Sequence, residues 1–486
     1  MSCNMSLSRP ARTAIVSKEG IECKECKIRN IINKNHETCH LCYNIFKLNL
    51  SGNKVIDDFI RNTRVNFVKG SIPGVLEFVP YDQFKNIEFI AEGGFSKIYK
   101  AIWVDGPICE HFSYYTNIIC ENNYTVVLKK LNNSKNITSK ELNEFKVYYQ
   151  ILLKGRNLSV SKYFGITQDP ITKDKIIIMA YYSSGDLIHY LSNNFYNINW
   201  GIKLRLLFYT INGLKEIHKA KIIHRDLHSG NIFIDKFHVY IGDLGISRSA
   251  TESHNDNEKY GIIPYMAPEI LQGQKYTEAS DIYSFGMIMW EFMTGRRPFW
   301  DEIHDIELII KICDGLRPPI FTNAPEGYIE LMKKCWHSDP AKRPTVVVIF
   351  SKIYKMYNDE SDIINQTKII KSSDIGPVTI NNPDAIYKSR PLSRMIQSAM
   401  SLRSSRSQSI DPFYYYQKNT DKRKFEDDSV EDINDNEQSM KRRKFLENEN
   451  SDHFTKEIVL DINMSSNEPC DKGYVTKEID LDINAL

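Results

Sequence analysis

One stretch constrains this chain more than any other. Ile222-Ile223-His224-Arg225-Asp226-Leu227-His228-Ser229-Gly230-Asn231-Ile232-Phe233-Ile234 is a polar loop held between β-branched apolar runs. It carries an aspartate and, five residues later, an asparagine. Val239-Tyr240-Ile241-Gly242-Asp243-Leu244-Gly245 follows, with a carboxylate just past an apolar strand and a glycine that frees the next backbone turn. Asp226, Asn231 and Asp243 therefore converge as a base and two ligands for a hard cation that keeps water and phosphate in its shell.

Upstream, Ile90-Ala91-Glu92-Gly93-Gly94-Phe95-Ser96-Lys97-Ile98-Tyr99-Lys100-Ala101 reads as strand, tight small-residue turn, strand. Backbone that approaches phosphate oxygens cannot carry bulk at its tip, hence Gly93 and Gly94, although a Gly-Gly hairpin alone is commonplace. Val126-Val127-Leu128-Lys129-Lys130-Leu131 is an apolar strand ending in lysines. Lys129 falls at an inward position, where a cation is costly unless it meets an anion. The helical segment Glu141 to Tyr148 offers Glu144 as that partner. As an isolated pair it would carry little weight.

Taken in order, these motifs resemble those of a eukaryotic-type protein kinase domain over residues 84–357. The glycine loop, strand lysine, helix glutamate, His224-Arg225-Asp226, Asp243-Leu244-Gly245 and Ala267-Pro268-Glu269 follow one another, then Asp281-Ile282-Tyr283-Ser284-Phe285-Gly286 and Arg343. The resemblance implies an α+β, two-lobed fold with a small β-rich N-lobe and a larger helical C-lobe. It implies ATP and Mg²⁺ as reactant and cofactor, and a protein substrate. By it, Lys129 holds the α- and β-phosphates, Glu144 orients Lys129, Asp226 accepts the substrate hydroxyl's proton, and Asn231 and Asp243 bind Mg²⁺. Ala91, Glu92, Gly93, Gly94, Phe95, Ser96 and Ile98 cover the triphosphate, Met179 is the gatekeeper, and Ala180, Tyr181 and Tyr182 line the adenine edge. Glu269 and Arg343 form a buried link, and Asp281 ties the catalytic loop from below.

The sequence departs from the family at several points. Ala91 and Ser96 replace usual glycines, and Leu244 replaces a usual phenylalanine. His228 stands where serine/threonine kinases carry lysine, and Ile262 where they carry threonine. The wording around both is most similar to tyrosine-kinase-like serine/threonine kinases. Serine/threonine transfer is the leading expectation; a tyrosine or dual-specificity kinase and a pseudokinase scaffold are the alternatives. Arg225 is expected to meet a phosphate, or Glu252 or Asp256, on the segment Ile246 to Tyr265. The stretch 103–125, with Cys109 and Cys120, exceeds a usual hairpin.

Composition divides the remainder. Four of the ten cysteines form Cys23-x2-Cys26-x12-Cys39-x2-Cys42, the spacing of a closed tetrahedral structural zinc site. The expected organisation is 1–82 with this zinc knuckle, 83–357 as the kinase domain, and 358–486 as a mostly disordered tail poor in packing residues. Within that tail Thr455 to Asn463 recurs as Thr476 to Asn484, a period-two pattern suited to a peptide-motif partner. Lys and Arg total 63 against 61 Asp and Glu, a net charge of +2 that argues against a histone-like nucleic-acid coat. Nucleic-acid contact through Lys24, Lys27, Arg29 and Lys34 stays open. No apolar run approaches the ~18 residues a membrane span needs, and Met1 to Gly20 lacks the apolar core of a secretory signal. An intracellular location is expected, cytoplasmic, with nuclear entry suggested by Lys422-Arg423-Lys424 and Lys441-Arg442-Arg443-Lys444.

Overall fold

Strands between residues 77 and 180 build the first layer. Strands β1 (Glu77–Phe78), β2 (Phe84–Glu92), β3 (Ser96–Trp103), β4 (Tyr124–Leu131), β5 (Tyr163–Gln168) and β6 (Lys175–Ala180) form one sheet in the order β1-β5-β6-β4-β3-β2. The computed structural model describes residues 50–68, 76–93, 96–108, 121–135, 142–155, 159–236, 238–250, 258–360, 366–378 and 382–405, with Glu22 and Lys24. Val126 and Leu128 on β4, Ile176 and Ile178 on β6, and Ala101 and Trp103 on β3 pack together on one face. Lys129 is paired with Ile177 and with Ile98, so it belongs to the opposite face.

That second face is covered by α1 (Lys54–Val68) and α2 (Asn143–Lys154). Ile56, Phe59 and Ile60 of α1 are buried. The Phe59 ring meets Phe145 at 6.5 Å and Tyr149 at 6.0 Å, both on α2. Strand β1 pairs parallel with β5 at Gly165, where a Cβ would lie 2.0 Å from the Glu77 carbonyl oxygen. Core residues therefore extend upstream of residue 82.

The second lobe is helical: α3 (Leu187–Asn194), α4 (Trp200–Lys219), α5 (Pro268–Leu271), α6 (Glu278–Thr294), α7 (Ile306–Cys313), α8 (Tyr328–Cys335) and α9 (Val346–Asp359). Side chains start several of these helices: Asp186, Asn199 and Asp305 each accept a first-turn amide, and Thr277 forms a capping box with Ser280. Gly295 ends α6 at φ 73°, a left-handed cap that glycine adopts without strain. Every residue of α6 from Ser280 to Thr294 is buried, the few polar ones included, as befits a central helix apolar around most of its circumference. Between α4 and α5 lie β7 (Ile222–Ile223), β8 (Ile232–Asp235), β9 (His238–Ile241), β10 (Arg248–Ser249) and β11 (Tyr260–Gly261). β8 pairs with β9, and β10 with β7. Among the described residues no helix is long and apolar enough to cross a membrane.

Beyond α9 the chain stays folded for part of the stretch expected to be mostly disordered. Residues 366–378 and 382–405 run along the helical lobe and end in β12 (Arg390–Pro391) and α10 (Ser393–Ser405). Gly376 N donates to the Thr294 carbonyl at 2.7 Å, and Asn382 N to the Trp300 carbonyl at 3.0 Å. Local composition underestimated this segment because its apolar anchors, Ile375, Leu392, Ile396 and Ala399, are few and widely spaced, yet all are buried. Residues 406–486, with both copies of the repeated tail motif and the basic clusters, lie outside the described residues.

Two buried polar links brace the helical lobe. Arg343 donates to both carboxylate oxygens of Glu269 at 2.7 Å each, and its Nε reaches the His337 carbonyl at 2.8 Å. The Tyr265 hydroxyl donates to Glu291 and lies 3.2 Å from Ser229 Oγ, connecting α6 to the loop after β7. Burial pushes the Glu291 carboxyl up to about 7 from its ordinary 4.5, outweighing its hydrogen bonds.

Glu269→Ala leaves a buried guanidinium unpaired and is expected to cost roughly 3–5 kcal/mol, read as a lower denaturant midpoint. Glu291 gives a pH test. An acid whose folded value is raised binds its proton more tightly when folded, so its stabilising contribution is full below pH 4.5 and is lost as pH climbs through about 7. Glu291→Gln cannot titrate. It is expected to match the wild-type midpoint at pH 5 and to exceed it at pH 8.

Candidate active site

A buried lysine organises the cleft between the lobes. Lys129 Nζ lies 3.0 Å from Glu144 Oε2, 3.2 Å from Glu144 Oε1 and 2.9 Å from Asp243 Oδ1. Burial alone would lower the ammonium, but Asp243 and Glu144 outweigh it and hold the group above the usual lysine range. Glu144 is raised too, but by burial, which outweighs the lowering effect of Lys129. Tyr163 on β5 donates to Glu144 Oε1 at 2.8 Å and fixes the carboxylate from behind. Asn143, beside it on α2, donates to the carbonyls of Gly245 and Ser247 at 3.1 and 3.2 Å. One strand, one helix and the loop after β9 thus meet at a single cation, as the inward lysine requires.

The loop after β7 is held by its backbone. Asp281, 1% exposed on α6, accepts from His224 N at 2.8 Å and Arg225 N at 2.9 Å, and its Oδ2 lies 2.9 Å from His218 Nε2. Arg225 and Asp243 both take positive φ, 74° and 55°, a strained backbone that such anchoring sustains. His224 is fully buried, with Nε2 3.0 Å from the Gly242 carbonyl, which couples the two loops. Asn231 Nδ2 donates to the Asp226 carbonyl at 2.9 Å. That bond fixes the amide orientation and leaves the asparagine's oxygen for another partner.

His228 shows what replaces the lysine expected beside the base. Its Nδ1 accepts from Gly230 N at 3.1 Å, and its Nε2 lies 3.8 Å from Asp226 Oδ2. Ile262 is buried, so the threonine–lysine pair of that position gives way to an apolar side chain and a ring nitrogen. The Arg225 guanidinium stacks over Tyr276 at 4.4 Å. On the segment expected to meet that arginine, Ser247 is fully buried and donates to the His224 carbonyl at 3.0 Å. Thr251, Glu252, Ser253 and Asp256 lie outside the described residues.

On the nucleotide side, Ala91 and Glu92 pair with Ile98 and Lys97, and Gly93 N donates to the Ser96 carbonyl at 2.8 Å, closing the hairpin. Gly94 and Phe95 at its tip lie outside the described residues. Met179 is buried opposite Val127, and Tyr181 follows Ala180 with the Lys100 ammonium 5.0 Å from its ring centre. Tyr182 stacks on Phe233 at 5.6 Å and Tyr240 at 4.5 Å, which joins the linker to the helical lobe.

Cys23, Cys26, Cys39 and Cys42 lie outside the described residues, and among the described residues no cluster of potential metal ligands occurs. Three features of the site were not read from the sequence: Tyr163 behind Glu144, the Ser229–Tyr265–Glu291 chain, and Ser389, whose Oγ lies 2.9 and 2.7 Å from the two oxygens of Asp226. Each depends on packing between elements remote in sequence and leaves no local pattern.

Comparison with known proteins agrees with this geometry. The chain is 34% identical over 236 residues to stress-activated protein kinase alpha of Dictyostelium discoideum, covering 46% of this chain and 36% of that one. It is 32% identical over 232 residues to a protein of Acanthamoeba polyphaga mimivirus named as a serine/threonine-protein kinase/receptor, covering 47% and 14%. It is 35% identical over 195 residues to a Dictyostelium discoideum protein named as serine/threonine-protein kinase roco5, covering 37% and 7%. The chain thus spans 36% or less of the length of each of these relatives. A family profile described as protein tyrosine and serine/threonine kinase matches residues 84–353, more than half of the chain. With the lysine, its two carboxylates and the anchored loop all in their places within that span, the chain belongs to the protein tyrosine and serine/threonine kinase family.

Proposed function

We propose that this chain transfers the γ-phosphate of ATP to serine and threonine hydroxyls of protein substrates. The observation that carries the reading is Lys129 bound at once to Glu144 and Asp243, with Asp226 held on the anchored loop beside them. Phosphoryl transfer asks mainly for positioning and charge neutralisation, and both are built into this arrangement. Asp226 is the base for the incoming hydroxyl, and Lys129 is the cation for the α- and β-phosphates. The names of two of the relatives above, the mimivirus protein and roco5, support serine/threonine specificity.

The donor set fits Mg²⁺. Asp243 Oδ1 is committed to Lys129, while the side chain remains 44% exposed. Asn231, with its amide nitrogen tied to the Asp226 carbonyl, presents only an oxygen. Both are hard donors of the kind Mg²⁺ takes alongside phosphate and water. When bound, the ion neutralises charge developing on the β- and γ-phosphate oxygens.

The cysteine spacing at 23–42 supports a structural zinc knuckle, and the repeated tail motif supports a partner that offers a sheet edge.

Three measurements test these readings. Asp226→Asn is expected to lower transfer from labelled ATP roughly 10²–10⁴-fold, the range for a general base, while nucleotide binding is largely kept. Phosphoamino-acid analysis of the wild-type product should show phosphoserine and phosphothreonine; phosphotyrosine alone would overturn the specificity. Elemental analysis of freshly purified chain should find one zinc per molecule, lost with Cys26→Ser and Cys39→Ser together.

A further inference from the structure

A serine of the chain itself stands at the base. Ser389 Oγ lies 2.9 Å from Asp226 Oδ1 and 2.7 Å from Oδ2, so its hydroxyl donates to the carboxylate that would take a substrate's proton. A general base must be within about 2.6–3.2 Å of the group it deprotonates, and this pair is.

The serine is held there from both sides. On its C-terminal side, β12 pairs antiparallel with β11, Gly261 opposite Arg390 and Tyr260 opposite Pro391. Leu392 N donates to the Lys259 carbonyl at 2.8 Å, and Lys259 N to Ser393 Oγ at 2.7 Å. On its N-terminal side, the Tyr387 hydroxyl donates to the Pro298 carbonyl at 2.8 Å, and the ring meets His304 edge-on at 4.8 Å. The α10 helix anchors the segment further: Ile396 and Ala399 are buried, and Arg403 Nε donates to Asp314 at 2.7 Å. An extended segment that adds a strand to the loop beside the base is how a peptide is presented by β-augmentation. Nothing in this arrangement resembles an incidental surface contact, because main-chain bonds, a buried helix face and an ion pair all fix one register.

We propose that Ser389 is the acceptor for an intramolecular phosphoryl transfer by this chain, with residues 382–405 acting as a tethered substrate in the protein-substrate groove. The proposal rests on the reading of the chain as an active kinase. In the step, Asp226 accepts the Ser389 hydroxyl proton while Oγ forms a bond to the γ-phosphorus of ATP. The bond from that phosphorus to the β–γ bridging oxygen breaks, and ADP leaves with the electron pair. The product is phosphoserine at 389. Tethering makes the transfer first-order, with an effective concentration that no free substrate matches at ordinary enzyme levels. While the segment is seated, an outside protein must displace it to reach Asp226.

The test uses the full chain, treated with phosphatase, then given ATP and Mg²⁺ with casein as an outside acceptor. Mass spectrometry should find phosphate on Ser389, accumulating with a rate constant unchanged across a 100-fold dilution of the chain. Ile396→Glu, which places a charge at the buried face of α10 and unseats it, should slow Ser389 modification at least 10-fold while casein is phosphorylated as fast as by wild type or faster. Casein phosphorylation with Ser389 unmodified would overturn the proposal and leave the kinase reading intact. A Ser389 rate constant that rises in proportion to chain concentration would also overturn it, since the transfer would then be between molecules. Phosphate on neither casein nor the chain would remove the kinase reading, and the proposal with it.

Discussion

The cleft depends on a buried cation. Lys129 sits on the inner face of a strand whose other inward neighbours are apolar, a position that no ammonium tolerates without anions beside it. Glu144 comes from a helix and Asp243 from a loop of the other lobe, so satisfying one charge brings three elements to one point. Removing the lysine would leave both carboxylates stranded in a place built for pairing. Phe59 of α1 packs on Phe145 of α2, and Phe145 meets Tyr163 at 5.8 Å. Residues upstream of the family's own span therefore reach the ion pair through two aromatic contacts and one hydrogen bond.

The loop carrying Asp226 illustrates a second constraint, that short polar loops need backbone partners when they are buried. Asp281 accepts two consecutive amides and faces His218, a dense set of bonds for one carboxylate. With the backbone fixed, Arg225 keeps a left-handed φ and Asp226 is aimed without help from its own side-chain partners. Beneath, the Ser229–Tyr265–Glu291 chain couples the loop to a helix buried along almost its whole length. His228 takes the place of the family's lysine near Asp226, a ring nitrogen in place of a long flexible ammonium. The base therefore keeps a polar neighbour but not a permanent charge.

The segment 382–405 changes what the catalytic cleft faces. A peptide placed by strand pairing, ring stacking and a docked helix occupies the approach to Asp226. Its anchors are spread thinly, one apolar side chain every few residues, as suits a strap that crosses a surface rather than filling a core.

By itself the sequence determined the identity of the charged site, and its resemblance to one family implied the two-lobed fold. Strand alternation placed Lys129 inward, apolar runs framed the Asp226–Asn231 loop, and the ordered motif series tied them to one family. These features are local, because periodicity and loop chemistry are written in neighbouring residues. Tertiary structure alone decided which distant groups complete the site: Tyr163 behind Glu144, Glu291 under the catalytic loop, and Ser389 against Asp226, 163 residues away in sequence. A serine in a polar tail has no periodic partner and no distinctive spacing. Its place is set by apolar anchors and strand pairing further along the chain, a sum of contacts that exists only once the helical lobe has folded.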